Sequence, residues 1–346
     1  MPVLGSTPRA EELMSLRVSR APPVARPRPN ESRGSVVDAT LGAVCASDVS
    51  SISSGERFAR VGDLRLCYET FGGDGAPSLL LIMGLASQML LWDDGFCEEL
   101  AARGFRVIRF DNRDVGRSTI LRDARVPARW QLALRHPAGA AYALEAMADD
   151  AAGLLDHLEI DAAHVVGVSM GGMIAQLIAI RRPERVLSLV SIMSTTGNRS
   201  VGRPDPRVAL RMLRPAARTR EAYIEDHVQT YRLIGSRGFD FEEEYKRQRA
   251  ERLFARGIHP AGSARQMAAV VTAEDRTEFL RQVRVPTAVI HGDQDPLVNV
   301  SGGRATAAAI PNAELAILPG MGHDLPRELW PQIIDIIART ANRTAS

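Results

Sequence analysis

The sequence predicts an α/β fold: a mostly parallel central sheet with helices on both faces and a helical insertion between two of its strands. Short apolar runs, typical of strands buried on both faces, alternate with segments of helical length. Strands and helices that alternate in this way form parallel sheets. Residues 197–282 contain no such apolar run. This stretch, the helical cap, is therefore predicted to be the insertion.

The first 56 residues are predicted to be a disordered extension. The segment RAPPVARPRPNESRGS is rich in proline, arginine and serine, and SDVSSISSGE continues the polar bias. Such segments bury too little apolar surface to offset the entropy lost on ordering. The folded core is therefore expected to consist of residues 57–196 and 283–346.

The core elements follow in order from residue 57. The alternation in RFARVGDLRLCYETFG predicts a hairpin, and the helix CEELAARG is expected to end at Gly104, because glycine favours the residue after a helix. The other predicted strands are SLLLIMG, FRVIRFD, AHVVGV, RVLSLVSIM, TAVIHG and AELAILPG, and the other predicted helices are roughly residues 144–159, a segment from Met170, and RELWPQIIDIIART.

The helical cap is expected to cover the functional site. Its segments AYIEDHVQTYRLIG and FEEEYKRQRAERLFARG have the pattern of amphipathic helices. Ligands of open α/β sheets bind at the carboxyl ends of the strands, so an insertion there would form a lid. His227 and Lys246, the only lysine, belong to this cap and are expected to be in solvent.

Composition and motifs exclude several classes of function. The formal net charge of the 346 residues is +2, so no global field attracts nucleic acid or anionic membranes. Three widely spaced cysteines suggest neither a disulfide framework nor a metal site, and no cofactor motif is recognised. Because no apolar run approaches about 18 residues and no signal peptide is recognised, a cytoplasmic protein is expected. Its expected partner is a small-molecule substrate. Monomer and dimer both stay open.

The stretch VVGVSMGGM has the pattern of a nucleophile elbow. Ser169 follows a buried strand and precedes a helix, with Gly167 and Gly171 two residues away on either side. In such a turn strand and helix pass so closely that the flanking positions need small residues. The N–H of Met170 at the helix start would face developing negative charge. A serine that only caps the helix is the alternative.

A serine nucleophile requires a base, and His323 fits that role best among the seven histidines. Sites of this kind follow the order serine, acid, histidine along the chain. His323 lies in the glycine-rich segment LPGMGHDLP, after the last predicted strand. An exposed loop histidine is the alternative.

The acid is expected in HGDQDP, at the end of a predicted strand, where two aspartates compete. Asp295 precedes Pro296, which keeps its backbone extended. Asp293 follows Gly292 inside the turn and would brace it. Asp295 is favoured, and Asp293 stays open.

The loop MGLASQMLLW is expected to provide the second backbone donor of an oxyanion hole. We assign the N–H of Leu85 to this role, with Gly84 making the turn. Several methionines near predicted strand ends would make an adaptable apolar pocket. The candidates are Met83, Met89, Met193 and Met321.

Charged residues in FDNRDVGRS invite a catalytic interpretation that we do not favour. Asp111, Arg113 and Asp114 are instead expected to form a buried ion-pair network that braces this loop.

Taken together, these segments resemble the α/β-hydrolase superfamily over about residues 58–340. The stretch LIMGLASQMLLWDDGFCEELAARGFRVIRFDNRDVGRS is similar to the bacterial esterase branch that includes aclacinomycin methylesterases and mycobacterial lipase-like esterases. The resemblance implies hydrolysis of carboxylic esters without a cofactor. It places the nucleophile at Ser169, the acid at Asp295 and the base at His323, with oxyanion donors at Leu85 and Met170.

The expected function is therefore that of a serine hydrolase that cleaves an ester or thioester of an apolar small molecule through an acyl-enzyme. One alternative is a perhydrolase or a carbon–carbon bond hydrolase that uses the same triad. Another is a ligand-binding module of the same fold without catalysis.

Overall fold

The computed structural model describes residues 53–212 and 217–343. Within these ranges eight strands form one sheet. They are β1 (Arg57–Val61), β2 (Leu64–Phe71), β3 (Ser78–Ile82), β4 (Arg106–Phe110), β5 (Ala163–Val168), β6 (Val186–Ile192), β7 (Thr287–Gly292) and β8 (Glu314–Leu318). Their spatial order is β1-β2-β4-β3-β5-β6-β7-β8. The pairs β1–β2 and β2–β4 are antiparallel and all other pairs are parallel, which confirms the predicted fold class.

Helices connect and cover these strands. The α-helices are α1 (Asp94–Ala102), α2 (Arg129–Ala133), α3 (Leu144–His157), α4 (Met170–Arg181), α5 (Pro206–Met212), α6 (Arg220–Ile234), α7 (Glu243–Arg256), α8 (Pro260–Thr272), α9 (Thr277–Leu280), α10 (Ser301–Ala309) and α11 (Trp330–Asn342). Gly104, with φ of 90°, follows α1, and its N–H donates to the carbonyl of Ala101, as a C-terminal glycine should.

Two apolar cores lie on opposite faces of the sheet. Strand β3 shows why its sequence is apolar throughout, since Leu80 and Ile82 belong to one core while Leu79 and Leu81 belong to the other. Side chains of successive strand residues point to opposite faces, so a strand covered on both sides needs apolar residues at every position. Helices α3 and α4 contribute to the first core, and α1 and α11 to the second.

The segment between β6 and β7 is helical, with α5 to α9 and no strand in its described part. Buried ion pairs join this cap to the loop after β4. Asp111 pairs with Arg256 of α7 at 2.8 Å, and Asp114 pairs with Arg265 of α8 at 2.6 Å. Arg113 instead pairs with Asp150 of α3. The charged residues of this loop therefore form structural ion pairs, two of which reach the cap.

The folded part begins earlier than residue 57. The backbone N–H of Ser54 donates to the carbonyl of Thr70, and Glu56 pairs with Arg256 at 2.7 Å and with Arg117. These bonds hold residues 53–56 against the core, so the core includes a few residues before position 57. The rest of the predicted disordered extension, residues 1–52, lies outside the described residues. In the described ranges, the helices are too short or too polar to cross a membrane.

Candidate active site

Ser169 occupies the sharp turn between β5 and α4. Its φ is 56° and its ψ is −119°, a conformation that residues with a side chain rarely adopt. A Cβ added to Gly167 would lie 2.1 Å from the carbonyl oxygen of Gly171, and one added to Gly171 would lie 2.1 Å from that of Ile82. The glycine spacing seen in the sequence thus follows from the close approach of β3, β5 and α4.

A cavity of about 690 Å³ opens in front of Ser169. This volume is in the usual range for small-molecule sites. The sheet loops and the cap both line it. Among its lining residues are Ser169, His323, Met83, Leu85, Met170 and Met193.

His323 and Asp295 are hydrogen-bonded. The distance between His323 Nδ1 and Asp295 Oδ2 is 2.7 Å, and both residues are buried. The other carboxylate oxygen of Asp295 accepts hydrogen bonds from the backbone N–H groups of Leu297 and Val298 at 2.8 and 2.9 Å. This arrangement leaves Nε2 of the imidazole available to a reacting group in the cavity that His323 lines.

The environment of Asp295 favours its charged form. Burial by itself would raise the pKa of this carboxyl. The charge of His323, hydrogen bonds from His291 and His323, and the N–H of Val298 outweigh burial and hold the pKa well below its usual range. Asp295 is therefore an anion at neutral pH and can orient the His323 ring.

A second histidine lies against the same carboxylate. His291 Nε2 is 2.7 Å from the carbonyl oxygen of Val298 and 3.5 Å from Asp295 Oδ2. Because a carbonyl only accepts hydrogen bonds, Nε2 of His291 carries a proton in this arrangement. His291, which is fully buried in β7, thus supports the loop that carries Asp295.

Asp293 has a different environment. Its side chain is exposed, and Oδ1 accepts a 2.7 Å hydrogen bond from the N–H of Gly320. This bond ties the loop after β7 to the loop after β8, which carries His323. The geometry thus separates the two aspartates that the sequence left in competition.

The cap holds the loop of His323. The N–H of His323 donates to the carbonyl of Ile234 at the end of α6, at 2.7 Å. Ser236 accepts from the N–H of Gly322 and donates to the carboxylate of Asp324. Sequence inspection did not find these supports, because Ile234 and Ser236 lie in a segment with no motif.

Two backbone N–H groups near Ser169 in the chain or in space have no partner in the described part of the protein. Within the described residues, neither Leu85 N–H nor Met170 N–H donates a hydrogen bond. A Cβ on Gly84 would lie 3.2 Å from Ser169 Cβ and 3.7 Å from its Oγ, which shows how near this loop passes. Free donors beside a serine hydroxyl are the arrangement required for an oxyanion hole.

A glutamine of the cap positions that loop. Gln266 of α8 is fully buried, and its Oε1 accepts a 2.7 Å hydrogen bond from the N–H of Ala86, while its Nε2 donates to the carbonyl of Arg113. Ala86 has a φ of 56° and follows Leu85 directly. Gln266 is 180 residues away in sequence, and no local signal pointed to it.

Four of the expected locations require correction. Met83 and Met193 line the cavity, but Met89 and Met321 do not. Both are fully buried, because the turn at Met89 is anchored by its N–H to Asp111 and Met321 packs in the second core. The other two corrections concern the cap. His227 and Lys246 line the cavity instead of lying in solvent, because the faces of α6 and α7 that carry them are turned towards the site.

Comparison with known proteins agrees with the fold. Residues 77–326 match the family model for the alpha/beta hydrolase fold. The chain is 32% identical over 284 residues to the rhodomycin D methylesterase of Streptomyces peucetius, which covers 76% of this chain and 90% of that protein. It is 28% identical over 285 residues to a 2-hydroxy-6-oxononadienedioate/2-hydroxy-6-oxononatrienedioate hydrolase of Pseudomonas putida, covering 80% of this chain and 92% of that protein.

A solved structure shows the same architecture. A thermophilic esterase from Thermogutta terrifontis superimposes with a TM-score of 0.64 and 23% sequence identity, covering 84% of this chain and 99% of that one. At this identity the likeness concerns the fold. Together with the family model, which matches most of the chain, it places the protein among known hydrolases: the chain belongs to the alpha/beta hydrolase family.

Proposed function

We propose that the protein is a serine hydrolase that cleaves a carboxylic ester or thioester of a largely apolar small molecule. The observation that carries this proposal is the 2.7 Å hydrogen bond between His323 and Asp295, in a cavity that Ser169 also lines. The similarity to a methylesterase supports the ester as the bond that is cleaved.

In the proposed reaction Ser169 attacks the ester carbonyl and His323 Nε2 accepts the hydroxyl proton. Asp295 holds the imidazole in the tautomer that can accept this proton and stabilises the imidazolium that forms. The N–H groups of Leu85 and Met170 donate to the oxyanion of the tetrahedral intermediate. His323 then gives the proton to the departing alkoxide, and an acyl-enzyme remains. Water, activated by His323, releases the acid.

The helical cap has the role of a lid in this proposal. It provides one wall of the cavity and the contacts of Ile234 and Gln266 to the base loop and the oxyanion loop. A closed cavity excludes water and strengthens the electrostatic interactions within it.

A second candidate is hydrolysis of a carbon–carbon bond with the same three residues. The similarity to the Pseudomonas putida hydrolase favours this alternative. The two candidates share the serine, and they differ in the bond that is broken.

Replacement of Ser169 by alanine tests the proposal. We expect kcat/KM for a short p-nitrophenyl ester to fall by about 10³-fold or more, because the nucleophile is lost. A fluorophosphonate probe should label the wild-type protein at Ser169 and leave Ser169→Ala unlabelled. Ser200→Ala, which removes an exposed serine of the cap, is the matched control and should keep both labelling and turnover.

Each other result has a distinct meaning. Ester turnover that persists in Ser169→Ala contradicts the assigned nucleophile. Labelling of Ser169 without turnover of any ester or thioester in a chain-length series contradicts the esterase and favours carbon–carbon hydrolysis. Absence of both labelling and turnover in the wild type favours a binding module.

A further inference from the structure

The cap wall of the cavity carries a group of basic side chains that the proposed reaction does not use. His227 and Tyr231 lie four residues apart on α6, and Lys246 and Arg249 lie three residues apart on α7, so each pair shares one helix face. All four line the cavity that contains Ser169. We call His227, Lys246 and Arg249 the basic cluster.

Arg249 forms no ion pair with any residue that the structure describes. Its guanidinium lies 4.9 Å from the ring centroid of Tyr231 and 5.4 Å from that of Tyr245. Its Nε is buried without a hydrogen-bond partner, and among the described residues no carboxylate oxygen lies within 4 Å of it. The two rings hold the guanidinium in place, and its N–H groups form no hydrogen bond with the described part of the chain.

In the described ranges, no carboxylate oxygen lies within 4 Å of Nζ of Lys246 either. Its side chain is 7% exposed, and Nζ donates to the carbonyl of Phe241 at 2.6 Å. An ammonium has three donors, so two remain. Burial is the main cause that lowers the pKa of Lys246, and the charge of Arg249 lowers it further; the more distant negative charges of Asp324, Glu242 and Glu328 raise it.

Burial and two neighbouring positive charges keep His227 unprotonated. Burial, followed by the charges of Arg249 and Lys246, lowers the pKa of His227 to about 3. The ring is therefore neutral at physiological pH, and its buried Nε2 has no partner in the described part of the chain. Burial disfavours any charge here, whereas the charges of Arg249 and Lys246 favour a negative group over a further positive one.

The acidic side chains of the cavity do not neutralise this cluster. Asp93 and Asp324 already accept hydrogen bonds from hydroxyl and backbone N–H groups, and Asp240 and Glu242 are exposed. Within the described residues none of these four comes within 4 Å of the side-chain nitrogens of Lys246 or Arg249. A cation that is buried without a partner costs free energy, which a bound anion would recover.

We propose that Arg249 and Lys246 bind a carboxylate of the substrate and that His227 contributes a further hydrogen bond to the same ligand. Arginine presents paired N–H groups in the geometry of a carboxylate. The inference rests on the proposed hydrolase function and narrows its substrate class: an ester of a dicarboxylic acid, or an ester with an ionised carboxyl group elsewhere on an apolar body.

The test compares two series of p-nitrophenyl esters from succinate to sebacate, one with a free distal carboxylate and one with a carboxamide in its place. In the wild type, kcat/KM should be about tenfold or more higher for the carboxylate at the best chain length. Arg249→Met should remove this preference while kcat/KM for the carboxamide changes by less than about threefold.

Arg211→Met is the matched control. Arg211 lines the same cavity, but it pairs with Asp226 at 2.6 Å, so its loss should leave the preference unchanged. Equal losses for both series in Arg249→Met, or a wild type without the preference, would overturn the inference.

Binding to Ser169→Ala separates the inference from the catalytic proposal. By calorimetry, suberate should bind this variant more tightly than suberamide, and Ser169→Ala/Arg249→Met should lose the difference. Selective binding without ester turnover in the wild type would support the carboxylate site and overturn the proposed ester hydrolysis. Ester turnover without selective binding would support the ester hydrolase and overturn the carboxylate site. Inorganic phosphate that competes with suberate at equal concentration would contradict the choice of a carboxylate.

Discussion

Asp293 and Asp295 are two residues apart, and their surroundings give them different roles. Asp295 is buried, accepts two backbone N–H groups and contacts His323 and His291. Asp293 is exposed, and its side chain accepts a hydrogen bond from the N–H of Gly320. A carboxylate that is buried and hydrogen-bonded is pre-oriented, so it can fix a partner without the entropy cost of ordering itself at the moment of reaction.

Asparagine substitutions distinguish these roles. We expect Asp295→Asn to lower kcat/KM for a p-nitrophenyl ester by roughly 10² to 10⁴-fold, since an amide does not hold the imidazole in the required tautomer. Asp293→Asn should change it by less than about fivefold, because an amide oxygen can still accept from Gly320. The measurement is steady-state kinetics, with the melting temperature of each variant as the check on folding. The reverse ranking would assign the acid to Asp293.

At the scale of elements, the elbow depends on how closely β3, β5 and α4 approach. Glycine is required at positions 167 and 171 because an added Cβ would lie too close to neighbouring backbone atoms. Any side chain at position 171 would meet the carbonyl of Ile82, which is main chain of a central strand and has little freedom to move.

Gly171→Ala should therefore destabilise the protein, by about 1–3 kcal/mol or more in the free energy of unfolding. Gly73→Ala is the control, because a Cβ there meets nothing within 4 Å, and we expect a change within about 0.5 kcal/mol. Urea denaturation measures both. Equal stability of the two variants would show that the elbow relaxes more readily than its contacts indicate.

The helices of the cap have a second function at this scale, since they hold the loops that carry the chemistry. The end of α6 accepts from His323 N–H, and Gln266 of α8 accepts from Ala86 N–H. In both contacts the donor is a backbone N–H of a residue in or next to the proposed machinery. The cap therefore supports the loops of the candidate site through hydrogen bonds.

At the scale of the whole molecule, buried ion pairs connect the cap to the sheet. Arg265 and Asp114 are almost fully buried and form two hydrogen bonds at 2.6 and 2.8 Å, and Tyr142 donates to the same carboxylate. The pKa of Asp114 is lowered: burial opposes the charged form, but the bonds from Arg265, Leu121 and Tyr142 outweigh it.

Removal of one partner leaves the other charge buried and unpaired. We therefore expect Arg265→Met to lower the free energy of unfolding by about 3–5 kcal/mol. Arg281→Met, which breaks an exposed pair with Glu278, should cost at most about 1 kcal/mol. Guanidinium denaturation of both variants checks this. A small effect of Arg265→Met would mean that the cap is held by its apolar contacts instead.

Much of the fold was predictable from local pattern. The strands were recognised because burial on both faces demands continuous apolar runs, and Ser169 was recognised because the elbow demands glycines at fixed spacing. The start of the core was not recognised, since Glu56 is ordered by Arg256, 200 residues away. Polar composition alone does not reveal such a partner.

The sequence by itself determined the fold class, the elbow at Ser169 and a short list of partners for it. Tertiary structure decided what depends on contacts between distant segments: which aspartate meets His323, which methionines reach the cavity, and that Gln266 supports the oxyanion loop. It also placed Lys246, Arg249 and His227 in the wall of the cavity. Local residue patterns specify strands and turns through short-range geometry, whereas burial and charge pairing are fixed only when remote elements pack together.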